Sequence, residues 1–211
     1  MLRVTAIDES GRKPGRFDLV LDDGTAVIVS VDIIEQLRLR VGVELDGPGT
    51  ARMLAAAGAL RTYDRAVTLL AFRARTGQEL RRRLVQNGEP AEFADAAVAS
   101  LHERGLLDDA DYARQFVHSR MVGKGVSRRR VQQELARRGV ARDTADEAVD
   151  SVLANEEVDE IGVVERAARK KLRSLQSVDL QTRRRRLHAF LARRGYDSDV
   201  IRAALTIVLA E

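Results

Sequence analysis

Apolar positions follow two rhythms along this chain. Over the first fifty residues they alternate; from residue 51 onward they recur every three to four residues. The stretch RFDLVLDDGTAVIVSV (16–31) alternates at Phe17, Leu19 and Leu21, reaches Asp23-Gly24, and resumes as a β-branched run over 27–31. This predicts a hairpin, with Gly24 supplying the positive φ of a tight turn. Residues 2–7 predict a third strand. Asp32 followed by Glu35 predicts a capping box opening a short helix over 33–40 that Gly42 ends. Residues 1–50 therefore read as a small β-rich module with a short helix.

The helical remainder contains a repeat. LVQNG (84–88), LARRG (135–139) and LARRG (191–195) align, with Leu80, Val131 and Leu187 four residues upstream of each leucine. Ten residues past each glycine stand Val98, Val149 and Leu205; thirteen past stand Leu101, Val152 and Val208. The glycines are 51 and 56 residues apart, room for three helices per unit. The predicted helices are 63–74, 77–87 and 91–104; 109–122, 128–138 and 143–154; 160–173, 180–194 and 197–209. The repeats are bounded at 51–107, 108–157 and 158–211. Glycine after a helix takes the left-handed conformation, and the next residue packs back onto the last turn. Leu101 with Leu106, Leu135 with Val140 and Leu191 with Tyr196 fit that rule, whereas Glu89 after Gly88 does not. Thr76 with Glu79 predicts another capping box, and Asp108 or Asp109 opens the following helix. The fold class is mainly α: tandem three-helix repeats in an elongated, curved array behind the β-rich module.

Charge changes this picture more than bulk composition does. Residues 1–50 carry net −3, 111–142 net +7, 143–160 net −8 and 161–196 net +9, so the helices present faces of opposite sign. The chain has no cysteine, which excludes disulfides and thiolate chemistry, and its three histidines show no metal-ligand spacing. The start of the chain lacks a signal-peptide core, and no apolar run is long enough to span a membrane. A cytoplasmic protein is expected. No Walker loop, Gly-x-Ser-x-Gly or His-Glu-x-x-His motif occurs; GPGTARML (47–54) lacks the Gly-Lys-Ser/Thr ending. The reading is a non-enzyme without cofactor or metal. Glu156, Glu157, Asp159 and Glu160 read as a solvated linker.

The stretch SRRRVQQELARRGV (127–140) poses a physical problem. A helix opened by Ser127 has Arg128, Arg129 and Arg130 at the positive end of its dipole, at a cost of about 0.3–1 kcal/mol each. With Val131 and Leu135 facing the core, Arg128 lies at the core edge, while Arg129, Arg130 and Arg137 project outward. By the same placement Arg81 and Arg82 face out in the first unit, and Arg184 and Arg185 in the third. Together with Lys124 these form a basic edge. Either it is a solvated charged face, or an outside anion completes its charge balance: nucleic-acid phosphate or an acidic protein groove. Aromatics are few. Tyr63, Phe72, Tyr112 and Phe116 read as core residues rather than base-stacking platforms. Sequence-specific readout is not expected.

RARTGQEL (73–80), GLLDDADYARQFVHSR (105–120) and SRRRVQQELARRGV (127–140) resemble the RecX family, regulatory proteins of the bacterial RecA recombinase. VTAI and LDDG ahead of them are similar to strands that many members carry. The resemblance implies tandem three-helix repeats and binding in the groove of the RecA–single-stranded DNA filament. It also implies inhibition of ATP hydrolysis, strand exchange and co-protease activity, without enzyme activity. The family's motif residues here are Arg73, Arg75, Glu79, Leu80, Gly105, Leu106, Asp108, Tyr112, Ala113, Phe116, Arg120, Leu135 and Gly139. Most read as caps and core; Arg73, Arg75 and Arg120 join the candidate contact residues. The Glu79 position is Arg130 in the second unit and Arg186 in the third, which speaks for a surface role of those arginines. The expected partners are the RecA filament and the DNA within it, with weak direct DNA binding by a monomer. The alternative is an independent, sequence-nonspecific nucleic-acid-binding repeat protein.

Overall fold

The computed structural model describes residues 1–11, 13–157 and 159–210. The chain divides into two compact units, Met1–Ala74 with Leu80–Leu107, and Arg75–Glu79 with Asp108–Glu211.

In the first unit β1 (Leu2–Glu9), β2 (Arg16–Leu21), β3 (Ala26–Ser30) and β4 (Glu44–Leu45) form an antiparallel sheet of order β3-β2-β1-β4. The predicted hairpin joins β2 to β3, and Gly24 takes φ +86° at its turn. The short helix α1 (Val31–Gln36) starts earlier than predicted and is capped by Ser30 rather than Asp32: the Ser30 hydroxyl accepts from the Ile33 N–H at 3.4 Å.

The helix predicted over 63–74 is the far end of α2 (Gly47–Phe72). Its cap is Asp46, whose carboxylate accepts from the Gly49 N–H at 2.7 Å, and Pro48 sits in its first turn, where no intrahelical N–H is needed. The expected boundary at 50/51 thus falls inside one helix. The early turns of α2 bury Met53 and Ala57 with the sheet residues Val4, Leu19, Leu21 and Val29. Its later turns bury Ala66 with Leu80 and Leu84 of α3 (Gly77–Gln86) and Ala94, Ala97 and Leu101 of α4 (Ala91–Glu103). Phe72, expected in the core, is 85% exposed at the helix end.

Glu89, the residue that broke the hydrophobic rule, still makes the backbone closure: its N–H donates to the Leu84 carbonyl at 3.1 Å. Its side chain is buried and serves as a polar clasp on α2. The Thr62 hydroxyl donates to it at 2.7 Å, and Arg65 and Arg61 reach it at 2.6 and 3.3 Å. Burial raises its pKa, but the Thr62 hydrogen bond and the two guanidiniums outweigh burial and hold it below the ordinary value. A depressed carboxylate pKa stabilises the fold above the ordinary carboxylate range, and that contribution is lost as pH falls. Glu89→Gln is expected to cost about 1–3 kcal/mol at neutral pH. In denaturant titrations the gap to wild type should close on acidification; a gap that does not change with pH would contradict this role.

The second unit holds two three-helix cores. Helices α5 (Asp109–Val117), α6 (Arg128–Arg137) and α7 (Arg142–Asn155) enclose Val117, Met121, Val131, Leu135 and Val149. Helices α8 (Glu160–Leu172), α9 (Leu180–Arg193) and α10 (Ser198–Val208) enclose Val164, Leu187, Leu191, Ile201 and Leu205. The inward positions read from the sequence, Val131, Leu135, Leu187 and Leu191, are all fully buried. The closing bonds are present as well: Val140 N–H to the Leu135 carbonyl at 3.1 Å and Tyr196 N–H to the Leu191 carbonyl at 3.4 Å. The helix predicted over 109–122 changes hand-off at residue 118, where a π-helical turn, His118–Gly123, follows α5.

One joint occurs twice within this unit. The Thr76 hydroxyl donates to the Arg138 carbonyl, and the Ser127 N–H donates to the Arg194 carbonyl at 3.0 Å. Each carbonyl precedes a left-handed glycine, Gly139 at φ +85° and Gly195 at φ +92°. The Thr76–Glu79 capping box is only half made. Thr76 accepts from the Glu79 N–H at 3.1 Å, but the Glu79 carboxylate turns to Arg138 at 2.6 Å.

Candidate functional site

The arginines at the head of α6 have carboxylate partners within the protein, so their charge balance does not require an outside anion. Arg128 pairs with Asp150 of α7 at 2.6 Å, and its N–H donates to the Glu160 carboxylate at 3.2 Å. Arg129 pairs with Asp197 at 3.1 Å and donates to the Gly195 carbonyl at 3.3 Å. Arg130 and Arg120 share Glu134, at 3.3 and 2.5 Å. Asp150 of α7, Glu160 at the head of α8, Asp197 ahead of α10 and Glu134 within α6 itself therefore supply the counter-charge. The same holds for the segment read as a solvated linker. Asp159 caps α8 by accepting from the Gly162 N–H at 2.7 Å, Glu156 meets His118 at 2.9 Å, and Glu160 serves Arg128.

Arg81 is likewise paired, with Asp95. Tyr112 and Phe116 stack with ring centroids 6.2 Å apart, and the Arg138 and Arg120 guanidiniums lie 5.0 and 5.8 Å from the Phe116 ring. Both rings pack against the core, as read from the sequence.

Among the described residues, no carboxylate lies in ion-pair range of Arg73, Arg82, Lys124, Arg137, Arg184 or Arg185. Arg73 and Arg82 belong to the first unit. Arg184 and Arg185 project from α9 and line a shallow concavity with Gln181, Thr182 and His188. Their neighbour Arg183 is spent on local backbone, donating to the Val178 carbonyl at 2.8 Å.

Lys124 has different company. It follows the π turn and lines a cavity of about 390 Å³ with Arg166, Lys170 and Lys171 of α8 and Arg194 at the end of α9. Arg194 lies over the Phe190 ring at 4.1 Å. Burial, with a smaller contribution from Arg120, holds its guanidinium below the ordinary value. None of these five cations has a carboxylate partner among the described residues. Sequence reasoning missed Arg166, Lys170, Lys171 and Arg194 because it followed the second helix of each repeat. The signal was the net +9 of residues 161–196.

No helix among the described residues is long and apolar enough to cross a membrane.

Family comparison decides the relationship. The family models for the first, second and third three-helix domains of RecX match residues 63–101, 108–149 and 159–205. The chain belongs to the RecX family. The regulatory protein RecX of Amycolatopsis mediterranei is 38% identical over 143 residues, covering 68% of this chain and 78% of that protein. The RecX of Levilactobacillus brevis is 32% identical over 120 residues, 57% of this chain and 45% of its own length. The chain spans about half the length of such lactobacillar relatives. A crystal structure of regulatory protein RecX shares the fold with TM-score 0.76 at 22% identity, over the full length of both chains. That of RecX from Lactobacillus salivarius gives TM-score 0.60 at 16% identity, over 73% of this chain and 98% of the other.

Proposed function

We propose that this RecX-family protein regulates the RecA recombinase. It binds the RecA–single-stranded DNA filament through a basic surface and suppresses ATP hydrolysis, strand exchange and co-protease activity. The observation that carries the reading is the match of all three RecX domains in a chain whose relatives are regulatory proteins RecX. The pattern of unpaired cations supports it. Arg128, Arg129, Arg130, Arg120 and Arg81 carry ion pairs within the protein, whereas Arg184, Arg185, Arg137 and Lys124 have no carboxylate in range among the described residues and are the first candidates for a partner. Arg73 and Arg82 join that set in the first repeat, and Arg75 is proposed as a contact on the family motif alone.

Co-sedimentation tests this reading. The protein should pellet with preformed filaments in excess of what naked single strands carry down at the same salt. Equal recovery with and without recombinase would move the assignment to an independent nucleic-acid-binding protein.

A further inference from the structure

The cavity beside the π turn has a composition that selects its occupant. Its side chains are hydrogen-bond donors or apolar groups, and none is an acceptor. A peptide segment brings an anion only where it carries an acidic side chain, whereas every nucleotide of a strand brings one to these five cations. A phosphodiester offers acceptors only, and the base and sugar beside it offer apolar faces. Val122, Val163, Ala167 and Phe190 form the matching apolar wall. The volume of about 390 Å³ suits a single small ligand. A duplex, with its bases stacked inside, presents phosphates on a convex surface and has nothing to place in a recess. A single strand can turn one nucleotide inward.

The cavity is also built rigidly. Gly125, at φ +63°, lies so close to α8 that a Cβ there would meet the Ala167 Cβ at 2.4 Å. The Arg194 carbonyl holds the Ser127 N–H, and its guanidinium is seated on Phe190. Arg194 loses hydration without gaining a carboxylate, so an incoming anion is favoured there.

We infer that the cavity formed by Lys124, Arg166, Lys170, Lys171 and Arg194 is a binding site for one nucleotide of single-stranded DNA, its phosphate on the cations and its base against the apolar wall. The inference deepens the proposed filament role by naming where the strand is held.

The test is fluorescence anisotropy of a labelled oligothymidylate across a salt series, with wild type and Arg166→Glu/Lys170→Glu. Both positions are exposed on α8, and unchanged melting and circular dichroism verify the fold. A neutral pair, Arg166→Gln/Lys170→Gln, guards against effects of the added acids. Wild type should bind with a salt slope that shrinks by about 0.7 in the variants, the share of the one phosphate the site holds. Binding by the reversed variant should weaken about tenfold or more. Undiminished binding by both variants overturns the site, as does absence of salt-sensitive binding by wild type at low salt. Variants that bind DNA normally yet fail to inhibit the recombinase would assign the cavity to an acidic protein surface instead, which also overturns it. Cavity-dependent DNA binding by a wild type that leaves recombinase ATP hydrolysis untouched would sink the filament reading and leave this one standing.

Discussion

Alanine at position 125 is expected to destabilise the second unit by about 2–4 kcal/mol. Two effects add. A left-handed backbone costs an L side chain about 1–2 kcal/mol, and forcing a methyl into a packed contact costs about 1–3 kcal/mol. Reduced freedom of the unfolded chain returns about 0.4–1 kcal/mol. The neighbour here is the Cβ of Ala167, which cannot swing aside, because it is fixed to the backbone of α8. Gly88 is the internal control. Its φ is +88°, but a Cβ there meets nothing within 4 Å, so Gly88→Ala should show the backbone cost alone. Urea unfolding of the two variants separates the terms. Equal losses would mean that the 123–125 loop moves away from α8 without resistance.

Reversing Arg184 and Arg185 to glutamate is expected to weaken inhibition of the recombinase more than tenfold while leaving the melting temperature within about 2 °C of wild type. The first expectation follows from charge. The double reversal changes the surface by four unit charges, and at about 0.5 kcal/mol per exposed charge this is about 2 kcal/mol of binding. The second follows from the fold: neither residue has a carboxylate partner among the described residues, so no internal pair is broken. Reversing Arg129 and Arg130 instead would confound the result, because their pairs with Asp197 and Glu134 would be lost. Full inhibition by the Arg184→Glu/Arg185→Glu protein would remove α9 from the contact surface.

The contrast between those two pairs of arginines shows how far the sequence could be read. Helix ends were legible because their causes are local: Ser127 and Asp108 cap the helices that follow them, and Gly139 and Gly195 end the helices before them. Core positions were legible because helical periodicity places Leu135 and Leu191 inward wherever the helix packs. The start of α2 was not, since Gly-Pro-Gly after Asp46 reads as loop, and only the sheet that buries Met53 makes it worth extending the helix there. Charge pairing was not legible either. Asp150 and Asp197 reach Arg128 and Arg129 only after the chain has folded, so an arginine run looked unpaired that is not. The cavity was hidden for the same reason, since Lys124, α8 and Arg194 come together only around the π turn.

The most direct measurement is single-stranded-DNA-dependent ATP hydrolysis by RecA with this protein titrated in. Loss of turnover at amounts far below the recombinase is the predicted result, since one bound regulator then affects many protomers of a filament. Undiminished turnover even at equimolar protein would contradict filament regulation.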